Sequence, residues 1–424
     1  MAHRRGTADR TTLPYRTALS LVLDAGAPLA ATTVVLAEAV GRVTARAVVS
    51  TETSPNADLA AMDGYAVRAG DLHGATAATP CRLAVIGAVA AGEQPPPGAT
   101  AGGVVRIATG ALLPDGYDTV LPFEEVTEAN SAIEVSAPVA AGANVRRRGE
   151  DHCPGDVLLE AGRRIGPPQV LLLANVGCAQ VPVVRRPRVA VLATGSELVE
   201  DLSAALQPGQ VRNSNARYLV AALHAAGCEP VLLPAAGDDP DVIAERVRDA
   251  FDVDKSAADL AVTIGGVSRG AADFVPAALA ALHAEVLFHG VAIRPGKPVL
   301  CARLPERRAM LFGLPGNPLA VLATFRALVA PHLRALQGRP PSEPVAARLA
   351  AAVAGRPGLT RLVLGHRIAV ATATAFADGI DQVAPMRRQK ASEVAALRHA
   401  DRWLVIPPEA AELLAGAEVE TLPL

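Results

Sequence analysis

The residues best suited to chemistry in this 424-residue chain lie in four short loops: ATGSEL (193–198), IGGVSRG (264–270), RPGKP (294–298) and LPGNP (314–318). Glycine allows close backbone approach and positive φ, proline stiffens a loop, and free N–H groups at a helix start favour an anion. None of the four is a Walker A loop or G-x-G-x-x-G. Lys297 is one of only three lysines among 40 basic residues. Its compact ammonium in RPGKP suits a phosphate or another oxyanion. Asn317 and Pro318 fit an N-cap and a first helical position, which leaves LPGNP evenly balanced between a tight connection and a binding loop.

The acidic candidates near these loops are Glu197, Asp238, Asp239 and Asp273. Magnesium usually takes one or two carboxylates together with substrate phosphates and water, so each is a candidate for holding it. Asp238 or Asp239 is equally suited to capping the helix after Pro240. A second set lies earlier. PNADLAAMDGYAVR (55–68) places Asp58 and Asp63 around a turn, with Asp63–Gly64 a common turn dipeptide and Tyr65 one of four tyrosines. RRRGED (146–151) offers an Arg fork with Glu150 and Asp151 beside it for metal or water.

Such loops need a scaffold, and the spacing of apolar runs supplies one. From 187 to 337 strand-like and helix-like runs alternate: PRVAVLATG, NARYLVAALHAAG, EPVLLPA, DPDVIAERVRDAF, DLAVTIGG, ADFVPAALAALH, VLFHGVAI, KPVLCARL, RAMLFGL and NPLAVLATFRALVAPHLRAL. This rhythm predicts βαβ units, a mostly parallel sheet covered on both faces, and ligands beyond the carboxyl ends of its strands. Residues 14–26 read as a helix opened by Pro14 and closed by Gly26. Short apolar runs broken by Gly and Pro from 46 to 144 predict a small β unit. Residues 145–182, with a helix begun at Pro167–Pro168, read as a return segment that packs against the first helix. QGRPPSEP (337–344) ends the α/β unit, and a second small β unit follows to 424.

Hydrophobic residues make up 50% of the chain, charged ones 19% and aromatics 3%, with a net charge of −2. The core is therefore aliphatic, and a near-neutral charge argues against a general nucleic-acid surface. The five cysteines show no C-x-x-C or zinc-finger spacing, which predicts a reduced, cytoplasmic protein. No apolar run reaches about 18 residues and no apolar stretch follows the basic N-terminus, so neither a membrane span nor a signal peptide is expected.

Taken in order, AMDGYAVR, VRIATGALLPDGYDTV, RRRGED, ATGSEL, NSN (213–215), GDDP, GGVSRGAADF, IRPGKP and LFGLPGNP resemble the MoeA family of molybdopterin molybdenumtransferases, related to the C-terminal domain of gephyrin. The resemblance covers nearly the whole chain. It implies a homodimer of elongated subunits with a discontinuous linking domain (8–45 and 145–182), an inserted β domain (46–144), a three-layer, MogA-like α/β domain (183–337) and a C-terminal β domain (340–424). It implies magnesium-dependent insertion of molybdate into adenylylated molybdopterin with release of AMP. Transient partners would be a molybdopterin adenylyltransferase and recipient molybdoenzymes, with no nucleic acid and no membrane.

Carried over by position, Glu197, Asp238, Asp273, Lys297, Asp58, Glu150 and Asp151 would be catalytic, the first three also holding magnesium. Thr194, Gly195, Ser196, Asn213, Asn215, Gly265, Gly266, Ser268, Arg269, Pro298, Pro315, Gly316, Asn317 and Pro318 would bind substrate on the α/β domain. Asp63, Tyr65, Thr109, Gly110 and Glu124 of the inserted domain, supplied by the other subunit, and Arg147 of the linking segment would also bind substrate. The chain departs from the family pattern at Leu59, Ala60, Ser196, Ile264, Ala271, Ala320, Lys390 and Ala391, several of them positions where a hydroxyl or carboxylate is usual. These departures open a second reading, a relative that binds molybdopterin or its adenylate and carries it without processing it.

Overall fold

A computed structural model describes residues 12–252, 254–255, 257–268, 274–304, 309–368, 381–386, 389–390 and 392–424. Arg269, Ala271, Asp273 and Ala391 lie outside the described residues.

The centre is a six-stranded sheet in the order Glu229–Leu232, Arg188–Ala193, Leu260–Ile264, Ala309–Leu314, Leu300–Leu304, Glu285–His289. The first four strands are parallel, and Leu300–Leu304 pairs antiparallel with the strands on both its sides, so the sheet is mixed, with its two antiparallel pairings at one edge. Strand Arg188–Ala193 is buried on both faces because alternate side chains enter different cores. Val189, Val191 and Ala193 pack with Leu219 and Leu223 of helix Ser214–Ala225. Ala190 and Leu192 pack with Ile243 and Val247 of helix Pro240–Ala250 and with Leu279 of helix Phe274–Ala281.

Helical structure is continuous from Pro318 to Leu336, with a π-helical stretch at Phe325–Val329. Pro331 lacks the N–H that a regular turn would donate to residue 327, and the widened turn just before it accommodates that loss. At 19 residues, with Arg326 and Arg334 interrupting its apolar run, this helix is long and apolar enough to cross a membrane by length and composition alone. It is mostly buried, with Leu319, Val321, Leu328, Val329 and Leu333 in the central core, as a core helix would be.

Helix Tyr15–Asp24 ends short of Gly26. Gly26 does not supply a left-handed turn; a Cβ there would lie 2.5 Å from the Ala335 Cβ, so the glycine permits close packing. Contrary to expectation, this first helix packs on the Phe325–Leu336 segment, with Ala18 and Val22 in the α/β core. Residues 145–182 instead join the chain that follows the first helix. Strand Ala31–Val35 pairs with Gln180–Val184, Val48–Val49 with Val157–Leu159, and helix Pro167–Asn175 covers Leu36–Glu38.

Between these two passes lies a six-stranded sheet built from Gly64–Val67, Cys81–Val89, Gly103–Ile107, Thr119–Pro122, Thr127–Ala129 and Ala132–Val135, with an apolar cluster on each face. After Pro340 the strands Thr360–Arg367, Gln382–Pro385, Val345–Leu349, Glu418–Pro423 and Arg402–Ile406 form a closed ring, the last pairing back to the first. Ala347, Leu349, Val383, Leu404 and Ile406 fill it.

Candidate active site

The loops after the parallel strands are bonded to one another. The Thr194 N–H and hydroxyl both donate to the Ile264 carbonyl, at 2.9 and 3.1 Å. The Gly195 N–H donates to Ala236 at 3.0 Å, and the Gly265 N–H to Leu314 at 2.9 Å. Thr194 is therefore a buried clamp between strands rather than the substrate-binding residue expected. Gly265 and Gly266 have φ of +90° and +64°, and a Cβ on Gly265 would lie 2.8 Å from the Thr194 carbonyl oxygen. A Cβ on Gly316 would come 3.8 Å from the Gly265 Cα, so LPGNP lies against the glycine pair, held by the Asn215 amide donating to the Gly316 carbonyl at 2.7 Å.

Around this backbone floor stand exposed polar groups. The Ser196 hydroxyl donates to Asp238 at 3.0 Å. Asp239, not Asp238, caps the next helix, accepting from the Asp241 N–H at 2.9 Å. The open choice between these two acids is thus resolved, with Asp238 turned toward the loop. The Glu197 carboxylate folds over Gly195, 2.5 Å from where a Cβ there would be. Ser268 is exposed at the edge of the described loop. Asn317 occupies an N-cap position, yet its side chain makes no capping bond, and Pro318 begins the helix. RPGKP rides on that helix, since a Cβ on Gly296 would meet the Thr324 side chain at 2.4 Å. Lys255 pairs with Asp249 and Lys390 with Glu393, whereas Lys297 is exposed and has no ion pair among the described residues.

Asn213 is another correction. It is buried, caps helix Ser214–Ala225 and donates to Glu200 at 2.8 Å, so it braces the site from behind. Among the departures, Ile264 and Ala320 are buried in packing, and Leu59 and Ala60 form a two-residue strand against Val145–Arg146. No group of three or more His, Cys, Asp or Glu suited to a metal occurs among the described residues. Glu197 and Asp238 remain as a two-carboxylate set, and Asp273 lies outside the described residues.

The other candidates gather on the inserted unit. Asp58 accepts from Arg147 at 2.6 Å and from the Arg148 N–H at 2.8 Å. That N–H first, and the guanidinium second, hold its carboxyl below the usual range. Asp63 accepts from both the N–H and the hydroxyl of Thr109, at 2.7 and 2.8 Å, and is held low for that reason. Gly110, at φ +78°, closes the same turn on the Ala60 carbonyl. Arg146 pairs with both Glu150 and Asp151, a residue that the Arg triplet in RRRGED signalled but the reading of Arg147 alone missed. Glu124 is exposed on a short 3-10 turn.

Tyr65 does not belong to this surface. It is buried in the sheet core, edge-on to Phe123, with its hydroxyl on Glu128, and burial followed by that carboxylate pushes its pKa up to about 12. Nor is Asp63–Gly64 a turn that needs glycine's φ: Gly64 starts a strand where a Cβ would strike the Leu121 carbonyl. Among the described residues, no hydrogen bond or ion pair joins the α/β group to the inserted group within one chain.

Comparison with known proteins agrees with this arrangement. Residues 13–177 match the MoeA N-terminal region (domain I and II), and residues 190–335 a probable molybdopterin binding domain. A molybdopterin molybdenumtransferase of Synechococcus elongatus is 39% identical over 76% of this chain and 80% of its own length. One from Staphylococcus aureus is 32% identical over 97% and 96%. The crystal structure of a molybdopterin biosynthesis MoeA protein from Pyrococcus horikoshii OT3 superposes with a TM-score of 0.83 at 30% identity, covering 97% of this chain and all of that one. With both domain models matched and relatives of this identity along its length, the chain belongs to the MoeA family of molybdopterin molybdenumtransferases.

Proposed function

We propose that this chain inserts molybdate into adenylylated molybdopterin and releases AMP. The observation that carries the reading is the floor made by Gly265, Gly266 and Gly316, with Lys297, on a loop packed against the helix that LPGNP opens, as the one lysine without an ion pair among the described residues. The glycines let an anionic group approach the backbone, and Lys297 supplies charge to the phosphate or the molybdate. Ser268 and the uncommitted Asn317 amide offer hydrogen bonds to the same ligand. Asp238, held by Ser196, and Glu197 orient water toward the phosphoanhydride. Its P–O bond breaks as the water oxygen bonds to phosphorus, leaving AMP and the molybdopterin phosphate. Catalysis is then chiefly placement and charge stabilisation.

Magnesium fits the two exposed carboxylates, Glu197 and Asp238, a donor set of the size this ion takes when phosphates and water fill its other positions; bound there it would neutralise phosphate charge. The finer architecture follows the same reading: a homodimer in the cytoplasm, a linking domain made by two passes of the chain, and an inserted domain whose Asp58 and Asp63, with Arg147, Glu150 and Asp151 of the adjoining linking segment, complete the partner's site. The adenylyltransferase that makes the substrate and the molybdoenzymes that take the product are its transient partners. A carrier that binds without turnover is the second reading, favoured by the burial of Ile264 and Ala320, which present no hydroxyl to the loops.

The experiment is to mix purified protein with adenylylated molybdopterin, magnesium and molybdate, and to follow AMP release together with activation of a cofactor-free molybdoenzyme. Molybdate-dependent appearance of both supports the transferase. Binding of the adenylate without either product means a carrier.

A further inference from the structure

A cleft of about 660 Å³ opens far from those loops in the chain, where residues 160–169 meet the end of the long helix and the linker after it. The two segments are in close contact: Gly162 has φ +75°, and a Cβ there would lie 2.4 Å from the Gly338 carbonyl oxygen. Four arginines line the cleft: Arg163, Arg164, Arg334 and Arg339. Arg164 donates to the Ala225 carbonyl at 3.4 Å, and Arg334 to the Pro340 carbonyl at 2.7 Å. None of the four forms an ion pair among the described residues, and Glu160 is the only acid in the lining. Val40, Ile165 and Pro340 give the cleft an apolar wall. Burial first, then the neighbouring charges of Arg334 and Arg164, lowers the Arg339 pKa to about 10.

The geometry points to a binding site for a phosphorylated small molecule in this cleft, its phosphate held by Arg164 and Arg339 and its uncharged body against the apolar wall. Guanidinium groups bind phosphate by paired, charge-assisted hydrogen bonds, and the volume is that of an ordinary small-molecule pocket. Because the cleft is formed by the linking segment on one side and the α/β unit on the other, an occupant fixes the two relative to each other.

The test is titration calorimetry of the full chain with glycerol 3-phosphate, with sodium sulfate as the comparison oxyanion, on wild type, R164Q/R339Q and K297A. The K297A variant should retain the arginine-dependent binding, while R164Q/R339Q should weaken it about tenfold or more, as expected for loss of charge-assisted contacts. Identical isotherms for wild type and R164Q/R339Q, or binding lost only in K297A, would overturn the site. Sulfate binding as tightly as the phosphate ester would overturn the ligand class. If the double variant does not fold, R164Q and R339Q are titrated singly; each should weaken binding to a smaller extent, and no change in either also overturns the proposal.

Discussion

At the scale of single residues, the three lysines separate cleanly. Two sit in surface ion pairs, and Lys297, in RPGKP, has none among the described residues. Lys297→Ala should raise the molybdate or substrate concentration needed for half-maximal AMP release, with little change in melting temperature; an unchanged concentration dependence removes its assigned role. Asp238 and Asp239 make a sharper pair. Asp239→Ala removes a helix cap and should cost roughly 0.5–2 kcal/mol of stability while leaving turnover intact. Asp238→Ala should do the opposite, and denaturant melts run beside AMP-release assays distinguish them. Asp58 carries a pH prediction. Its folded pKa is depressed, so its contribution is present above the unfolded value of about 3.9 and fades as pH falls through the folded one. As a half-exposed pair it is worth at most about 1 kcal/mol. Asp58→Asn should lack that part of the decline below about pH 4, and superimposable acid melting curves would contradict this.

At the scale of elements, the strand-to-helix rhythm of 187–337 was legible because aliphatic runs of strand length alternate with amphipathic ones, and the four glycine loops fell where strand ends must lie. The antiparallel edge was less legible, because strand direction leaves no mark on a short apolar run such as the one containing Cys301. Thr194 and Asn213 were misassigned to the substrate for a related reason. A small polar side chain in a loop motif can face the ligand or the next strand, and only the partner, Ile264 for one and Glu200 for the other, decides which. Tyr65 fell to the same ambiguity, since a one-residue shift in a strand reverses which face a ring enters. Gly265 shows what the loop demands of sequence. Gly265→Ala places a Cβ against the Thr194 carbonyl at positive φ and should destabilise by about 1–3 kcal/mol. A variant that melts with wild type would show the loop to be more yielding than this packing implies.

At the scale of the whole molecule, the two groups of site residues lie on different units with, among the described residues, no bond between them in one chain. If paired subunits share the site, K297A chains mixed with D58A chains should recover activity that neither has alone, because a mixed dimer contains one intact combination; mixtures as inactive as their parents would place the whole site in one chain. The central core raises a separate matter. It gathers Ala18 and Val22, the parallel strands, the long helix, and Leu362, Trp403 and Leu422 of the final ring, while the inserted sheet keeps its own clusters. Tyr15 donates to the Ala327 carbonyl across 312 residues of sequence. During synthesis, the inserted sheet can close as soon as its strands leave the ribosome. The first helix must wait, its apolar face uncovered, until the segment after residue 325 emerges, which makes the earliest helix made among the last to find its place.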